Sequence, residues 1–251
     1  MARMDSEWCL ALETSIRPGG VALLGEGGTL AVRALDDTRR NAAGMLPAIA
    51  ALLHGHGIRA RDLDVVCFSH GPGSFTGLRV AAAAARVLKA TTGCSVAAAP
   101  TLEVIARNAI DVAETGERIV VLRSAGSGRV YVASYERDGD GLRCVMQPAT
   151  CDDHRWMDGI EPPFCVLGDA AAIECGGGVA KGGRVLDEDT WLPRVEQVAL
   201  LGRELAAAGR FCSADQISPL YLRPPACEEV YETRRAAAIL RRGEAKQGGA
   251  Q

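Results

Sequence analysis

Apolar and polar positions alternate along the first hundred residues in a pattern that predicts strands before helices. Trp8-Cys-Leu-Ala-Leu-Glu13 is a short apolar run, Thr14-Ser-Ile-Arg-Pro-Gly-Gly20 supplies turn chemistry, and Val21-Ala-Leu-Leu24 is apolar again. The chain therefore opens as a β-hairpin. Gly25-Glu-Gly-Gly28 turns into a third strand from Thr29 to Leu35, which makes an antiparallel meander. From Ala43 onward Met45, Leu46, Ile49, Leu52 and Leu53 recur at helical spacing, up to the glycines of His54-Gly-His-Gly57. Val65-Val-Cys-Phe-Ser69 reads as a buried strand, Gly71 to Gly77 as a loop, Leu78 to Ala90 as an alanine-rich helix and Ser95 to Ala98 as a strand. Thr101 is placed to cap a further helix with Leu102, Ile105, Ala106 and Ala109 on one face and Glu103 near its N-terminus.

The order βββαβαβα implies an α/β fold, a mixed sheet of the ribonuclease-H-like kind flanked by helices. After Gly116 the order begins again, with strands at Arg118 to Arg123, Arg129 to Glu136 and Leu142 to Gln147, a short helix near Asp152 to Asp158, a strand at Phe164 to Leu167 and a helical segment from Asp169. This predicts two lobes, residues 1–110 and a smaller 111–225, joined near 111–117 with a cleft between them. Glycines between Glu174 and Gly183 mark a loop, and Val195 to Ala208 a last helix with Val198, Leu201 and Leu205 inward. Residues 226–251 read as a charged helix or tail, solvated rather than functional.

Composition narrows the function classes. With 48% hydrophobic and 24% charged residues the chain belongs with ordinary folded proteins. Lys and Arg number 28 against 31 Asp and Glu, so a self-sufficient grip on nucleic acid is not expected. The 9 cysteines include no Cys-x-x-Cys pair, which argues against a zinc ribbon or a disulfide framework. The charged start and the Arg86 and Lys89 interruptions of the most apolar stretch predict a cytoplasmic protein with no membrane span.

The sharpest local feature is His70-Gly-Pro-Gly-Ser-Phe-Thr-Gly-Leu-Arg79, between a buried strand and a helix. Glycines permit close backbone approach and Ser74 or Thr76 can cap the helix, which makes the loop a candidate anion site. It matches neither a Walker A loop nor the dinucleotide fingerprint. The alternative is that the glycines only make a tight strand-to-helix turn. Arg79, a cation in the first helical turn, calls for an acidic neighbour or ligand. Candidate anion or nucleotide contacts are Glu13, Thr14, Gly71, Gly73, Ser74, Thr76 and Gly77. His54, His56, His70, His154, Cys151 and Asp152 show no metal-ligand spacing, and no Gly-x-Ser-x-Gly elbow exists. Neither a catalytic residue, a metal nor a cofactor is assigned.

Leu10-Ala-Leu-Glu-Thr-Ser15, Gly71-Pro-Gly-Ser-Phe-Thr-Gly-Leu-Arg79, Pro100-Thr-Leu102 and Pro219-Leu-Tyr-Leu-Arg223 resemble, in order and spacing, the TsaB or YeaZ family, over roughly residues 8–225. The resemblance implies two ribonuclease-H-like lobes of the actin-like ATPase superfamily. It further implies a non-catalytic role in making threonylcarbamoyladenosine beside the tRNA anticodon, as a scaffold that binds a TsaD-like catalytic subunit, with a TsaE-like ATPase joining them. Contact with tRNA is then indirect, through the complex, and the docking patch also suits a homodimer. The partner surface is expected on helices near Ala43–Leu53 and Arg79–Ala90, with Met45, Ile49, Arg79, Ala82, Ala83 and Arg86 as its residues. This chain departs from the family at Ser124-Ala-Gly-Ser-Gly-Arg129, where Asp-Ala-Arg and an acidic residue are usual, at Glu13, where Asp is usual, and at Asn41, where a histidine is common. The alternatives are an ATP-dependent phosphotransferase of the same superfamily, with Glu13 organising a metal, and a peptidase.

Overall fold

Strand β1 (Cys9–Glu13) pairs antiparallel with β2 (Gly20–Leu24), Cys9 opposite Leu24, and β2 pairs antiparallel with β3 (Leu30–Ala34). On the other side of β1, strands β4 (Val65–Gly71) and β5 (Ser95–Pro100) add in parallel, giving the order β3-β2-β1-β4-β5. Meander and parallel extension both follow the sequence pattern. The computed structural model describes residues 8–28, 30–36, 41–139, 141–152, 155–169 and 182–222. Residues 1–220 form one compact unit; of the second, 221–251, only Tyr221 and Leu222 are described. The expected tail thus lies outside the described residues.

Neighbouring residues of a strand point to opposite faces, so each face of this sheet has its own composition. Leu10, Leu12, Val21, Leu23, Val66 and Phe68 bury one face against helices α1 (Asn41–Gly55) and α2 (Phe75–Thr92). Cys9, Ala11, Ala22, Cys67, Ala97 and Ala99 make the other face, which is small enough for a helix to approach closely. That helix is the last one.

A second mixed sheet repeats the plan. Strands β6 (Arg118–Gly126), β7 (Arg129–Asp138) and β8 (Gly141–Asp152) form an antiparallel meander, and β9 (Phe164–Gly168) and β10 (Arg184–Val185) extend it in parallel, in the order β10-β9-β6-β7-β8. Both sheets are ribonuclease-H-like. Helix α3 (Thr101–Ala106) and the 3₁₀ turn after it join them. Val104 packs with the first sheet, while Leu102, Ile105, Ala106 and Ala109 pack against Ile119, Val121, Ala133 and Tyr135 of the second.

Three features differ from the sequence reading. Thr101 does not cap α3: Pro100 occupies that position, and the Thr101 hydroxyl is buried without a hydrogen-bond partner. Residues 155–159 form turns closed by bonds from Asp158 N to Arg155 O and from Ile160 N to Met157 O, so no α-helix propagates there. Helix α4 (Val195–Ala207), expected within the second lobe, returns to the small-residue face of the first sheet, with Val195, Val198, Leu201 and Leu205 buried against it. Helical periodicity had identified the inward face; it carried no information about which sheet that face covers. The helical segment expected from Asp169 and most of the Glu174–Gly183 loop fall outside the described residues.

Arg107 fixes α4 to the α3 region. Its buried guanidinium donates to both carboxylate oxygens of Glu204, at 2.8 and 2.5 Å, and to Gln197 Oε1 at 3.3 Å. Beyond α4 the chain stays on the first lobe: Cys212 N donates to Val96 O at 2.7 Å, Ile217 is buried in the α1/α2 core, and Leu220 N donates to His70 O at 2.6 Å.

Candidate functional site

The glycine-rich loop is built into a joint with the end of β1. Ser74 caps α2, its hydroxyl accepting from Gly77 N at 3.3 Å. Ser74 N donates to Ser15 O at 2.7 Å, and the Thr14 hydroxyl donates to Gly77 O at 2.7 Å. A Cβ on Gly77 would sit 1.8 Å from the Thr14 carbonyl oxygen, and one on Gly73 would sit 2.6 Å from Ser15 Cβ. The glycines therefore admit the backbone of residues 14 and 15, and two of the amides that an anion cradle needs are engaged within the protein. Thr14, Gly71 and Gly77 are buried; Gly73, Ser74 and Thr76 are exposed.

Glu13 lies beneath this joint, 2% exposed. Its carboxylate accepts from Ser15 N at 2.6 Å, from the Ser15 hydroxyl at 2.5 Å and from the Ser69 hydroxyl. Burial pushes its pKa above the ordinary carboxylate value, against the lowering effect of the Ser15 and Ser69 hydrogen bonds and of the Arg123 charge. A raised folded-state value means that the native protein holds this proton more tightly than the unfolded chain. Stability is therefore lost as pH rises from the unfolded pKa through the folded one. Replacing Glu13→Gln removes the ionisation but keeps an acceptor for Ser15. The stability of this variant relative to the parent should become more favourable between pH 5 and pH 8, read from urea midpoints; a difference independent of pH would show that the carboxylate carries no such cost.

Above the joint is an open cavity of about 460 Å³ lined by Ser15, Ile16 and Arg17 after β1, Pro72, Gly73 and Ser74 before α2, and Arg123, Ser124, Ala125 and Tyr131 from β6 and β7. The Ser124–Arg129 segment forms the β6–β7 turn at its rim. Of the seven expected anion contacts, Gly73 and Ser74 line this cavity and Glu13 is its nearby buried acid. Arg17 and Arg123 were missed in sequence; the one signal pointing to Arg123 was its position immediately before the altered segment. His70 is half-buried, and desolvation lowers its pKa, so it stays neutral at pH 7. Among the described residues, no three His, Cys, Asp or Glu side chains converge as a metal site requires.

The helix surface divides the six expected partner residues. Met45, Ile49 and Ala82 are 1%, 4% and 4% exposed and belong to the core of the first lobe, so their side chains are not available at the surface. Arg79, Ala83 and Arg86 are exposed on α2. The outward apolar residues are Leu46 on α1 and Val87 on α2, 59% and 56% exposed, flanked by Ala50 and Ala83. Arg79 stacks on the Phe75 ring at 3.8 Å, and Arg86 Nε donates to Ile217 O at 2.6 Å.

Comparison with known proteins gives a consistent set of relatives. Residues 37–173 match the family model described as TsaD, tRNA N6-adenosine threonylcarbamoyltransferase. The tRNA threonylcarbamoyladenosine biosynthesis protein TsaB of Escherichia coli is 26% identical over 220 residues, 85% of this chain and 94% of the relative. The protein of the same name from Bacillus subtilis is 25% identical over 205 residues, 79% of this chain and 88% of the relative. Among solved structures, YeaZ from Pseudomonas aeruginosa superposes with a TM-score of 0.74 at 26% identity, covering 86% of this chain and 100% of that one.

Proposed function

Because this chain belongs to the TsaB/YeaZ family of tRNA threonylcarbamoyladenosine biosynthesis proteins, we propose that it is the non-catalytic scaffold subunit of that pathway's machinery. It docks a TsaD-like catalytic subunit on the outer faces of α1 and α2 and holds it in a productive conformation. A TsaE-like ATPase joins the pair, and tRNA is reached only through the assembly, in the cytoplasm. The observation that carries this reading is that Leu46 on α1 and Val87 on α2, two helices in contact, are each left exposed, with Ala50 and Ala83 exposed one turn away on their own helices. Large apolar side chains grouped on a helix surface mark association sites, and alanines beside them let another helix approach closely. Such a surface suits an interface of about 800 Å² per partner. The same patch serves a homodimer when the partner is absent, since a self-complementary helix pair obeys twofold symmetry.

One further feature supports a subunit that does no chemistry itself. Glu13, buried beneath the cleft, is committed to three donors, and a carboxylate so enclosed is poorly placed to organise a metal. No helix of the described residues is long and apolar enough to cross a membrane.

The test is reconstitution. The chain and the TsaD-like protein of the same organism should co-purify, and threonylcarbamoylation of tRNA should require both. Absence of association together with activity indifferent to this chain would overturn the reading.

A further inference from the structure

The cavity over the β1–α2 joint has two guanidinium groups and no carboxylate among its lining residues. Arg17 is exposed at its edge, while Arg123 is half-buried, with its Nη1 fully buried and lacking any hydrogen-bond partner. Nearby Glu13 and Asp169 act on Arg123 through charge alone. Glu13 does not supply the missing acceptor, because its oxygens are taken by Ser15 and Ser69. A buried guanidinium nitrogen with an unmet donor is costly, and natural proteins keep such groups chiefly where something else meets them. Burial also lowers the Arg123 pKa, which has the same origin.

From this arrangement we propose that the cleft binds an oxyanion, the phosphate or carboxylate group of a small molecule, held without a metal between Arg123 and Arg17. Guanidinium is suited to this task because its planar fork pairs with two oxygens at once. The hydroxyl-bearing residues Ser74, Ser124 and Tyr131 line the same space, and about 460 Å³ lies within the range of small-molecule sites. The site differs from a phosphate cradle in the glycine loop, whose close approaches are taken by Thr14 and Ser15. It goes beyond the scaffold reading and does not rest on it.

Thermal unfolding of the full chain, with ionic strength held constant by sodium chloride, tests the site using inorganic pyrophosphate in one arm and succinate in the other. One of them should raise Tm saturably, by about 5 °C or more at 100 times its Kd, and the arm that does so identifies phosphate or carboxylate as the preferred group. Arg17→Gln, at an exposed position, should weaken binding by roughly tenfold, Arg123→Gln should abolish it, and Arg61→Gln, exposed outside the cleft, should leave it unchanged. If Arg123→Gln does not fold, Arg17→Gln decides alone. A Tm that follows salt only, or saturable binding unchanged in the folded arginine variants, would overturn the proposal. Neither result bears on association with the catalytic subunit.

Discussion

A Gly77→Ala chain is expected to lose at least about 3 kcal/mol of folding stability, a fall in Tm of roughly 6–12 °C. The added methyl would lie 1.8 Å from the Thr14 carbonyl oxygen, less than any carbon–oxygen contact allows. Relief cannot come from a rotamer, since the obstacle is backbone. Thr14 is held by its own hydroxyl on Gly77 O, and Ser15 O accepts from Ser74 N, so moving one segment breaks the bonds that position the other. Gly44, inside α1, has nothing within 4 Å of its added Cβ. Gly44→Ala should therefore stabilise by up to about 1 kcal/mol through helix propensity alone. Urea denaturation of both variants separates the two effects, and a Gly77→Ala protein as stable as the parent would show that the joint is not a rigid element of the fold.

The first sheet was legible because three signals agreed: alternating apolar residues in 8–35, turn residues between them, and helical periodicity once the meander ended. In the second sheet the meander and β9 were legible from the same strand and turn signals, whereas the two-residue edge strand β10 (Arg184–Val185) was not, being too short to show a period. What sequence did not show is what approaches what. The Gly71–Gly77 loop stood out as a place where backbone comes close to something, but small residues look alike whether the neighbour is a phosphate or the carbonyl of Thr14. The cavity was out of reach because it gathers Arg17, Ser74 and Arg123 from segments far apart in the chain. On α2 helical spacing places Ala82 with Arg79 and Arg86, and the unbroken run from Ala81 to Ala85 leaves the boundary of the buried face undefined. The structure supplies it: Ala82 is 4% exposed and Ala83 lies outside.

That boundary makes Ala83→Arg the substitution with the largest expected effect on association. Arginine is a good helix former, and the position faces solvent in the free chain, so stability should change by no more than about 0.5 kcal/mol. In the proposed docked pair the same side chain must be enclosed beside Val87, one turn away on α2, and neither α1 nor α2 carries an acid to pair with it. A buried unpaired charge at the centre of an interface should weaken binding of the TsaD-like subunit by roughly 100-fold or more, about 2.8 kcal/mol. Self-association through the same proposed face should fall in parallel. Ala207→Arg, at the exposed end of α4 on the opposite face of the sheet, should bind as the parent does. Calorimetric titration and sizing of all three proteins, with circular dichroism to confirm the fold, make the comparison. Equal affinity for the parent and a correctly folded Ala83→Arg would place the docking surface elsewhere and leave Leu46 and Val87 as ordinary exposed residues.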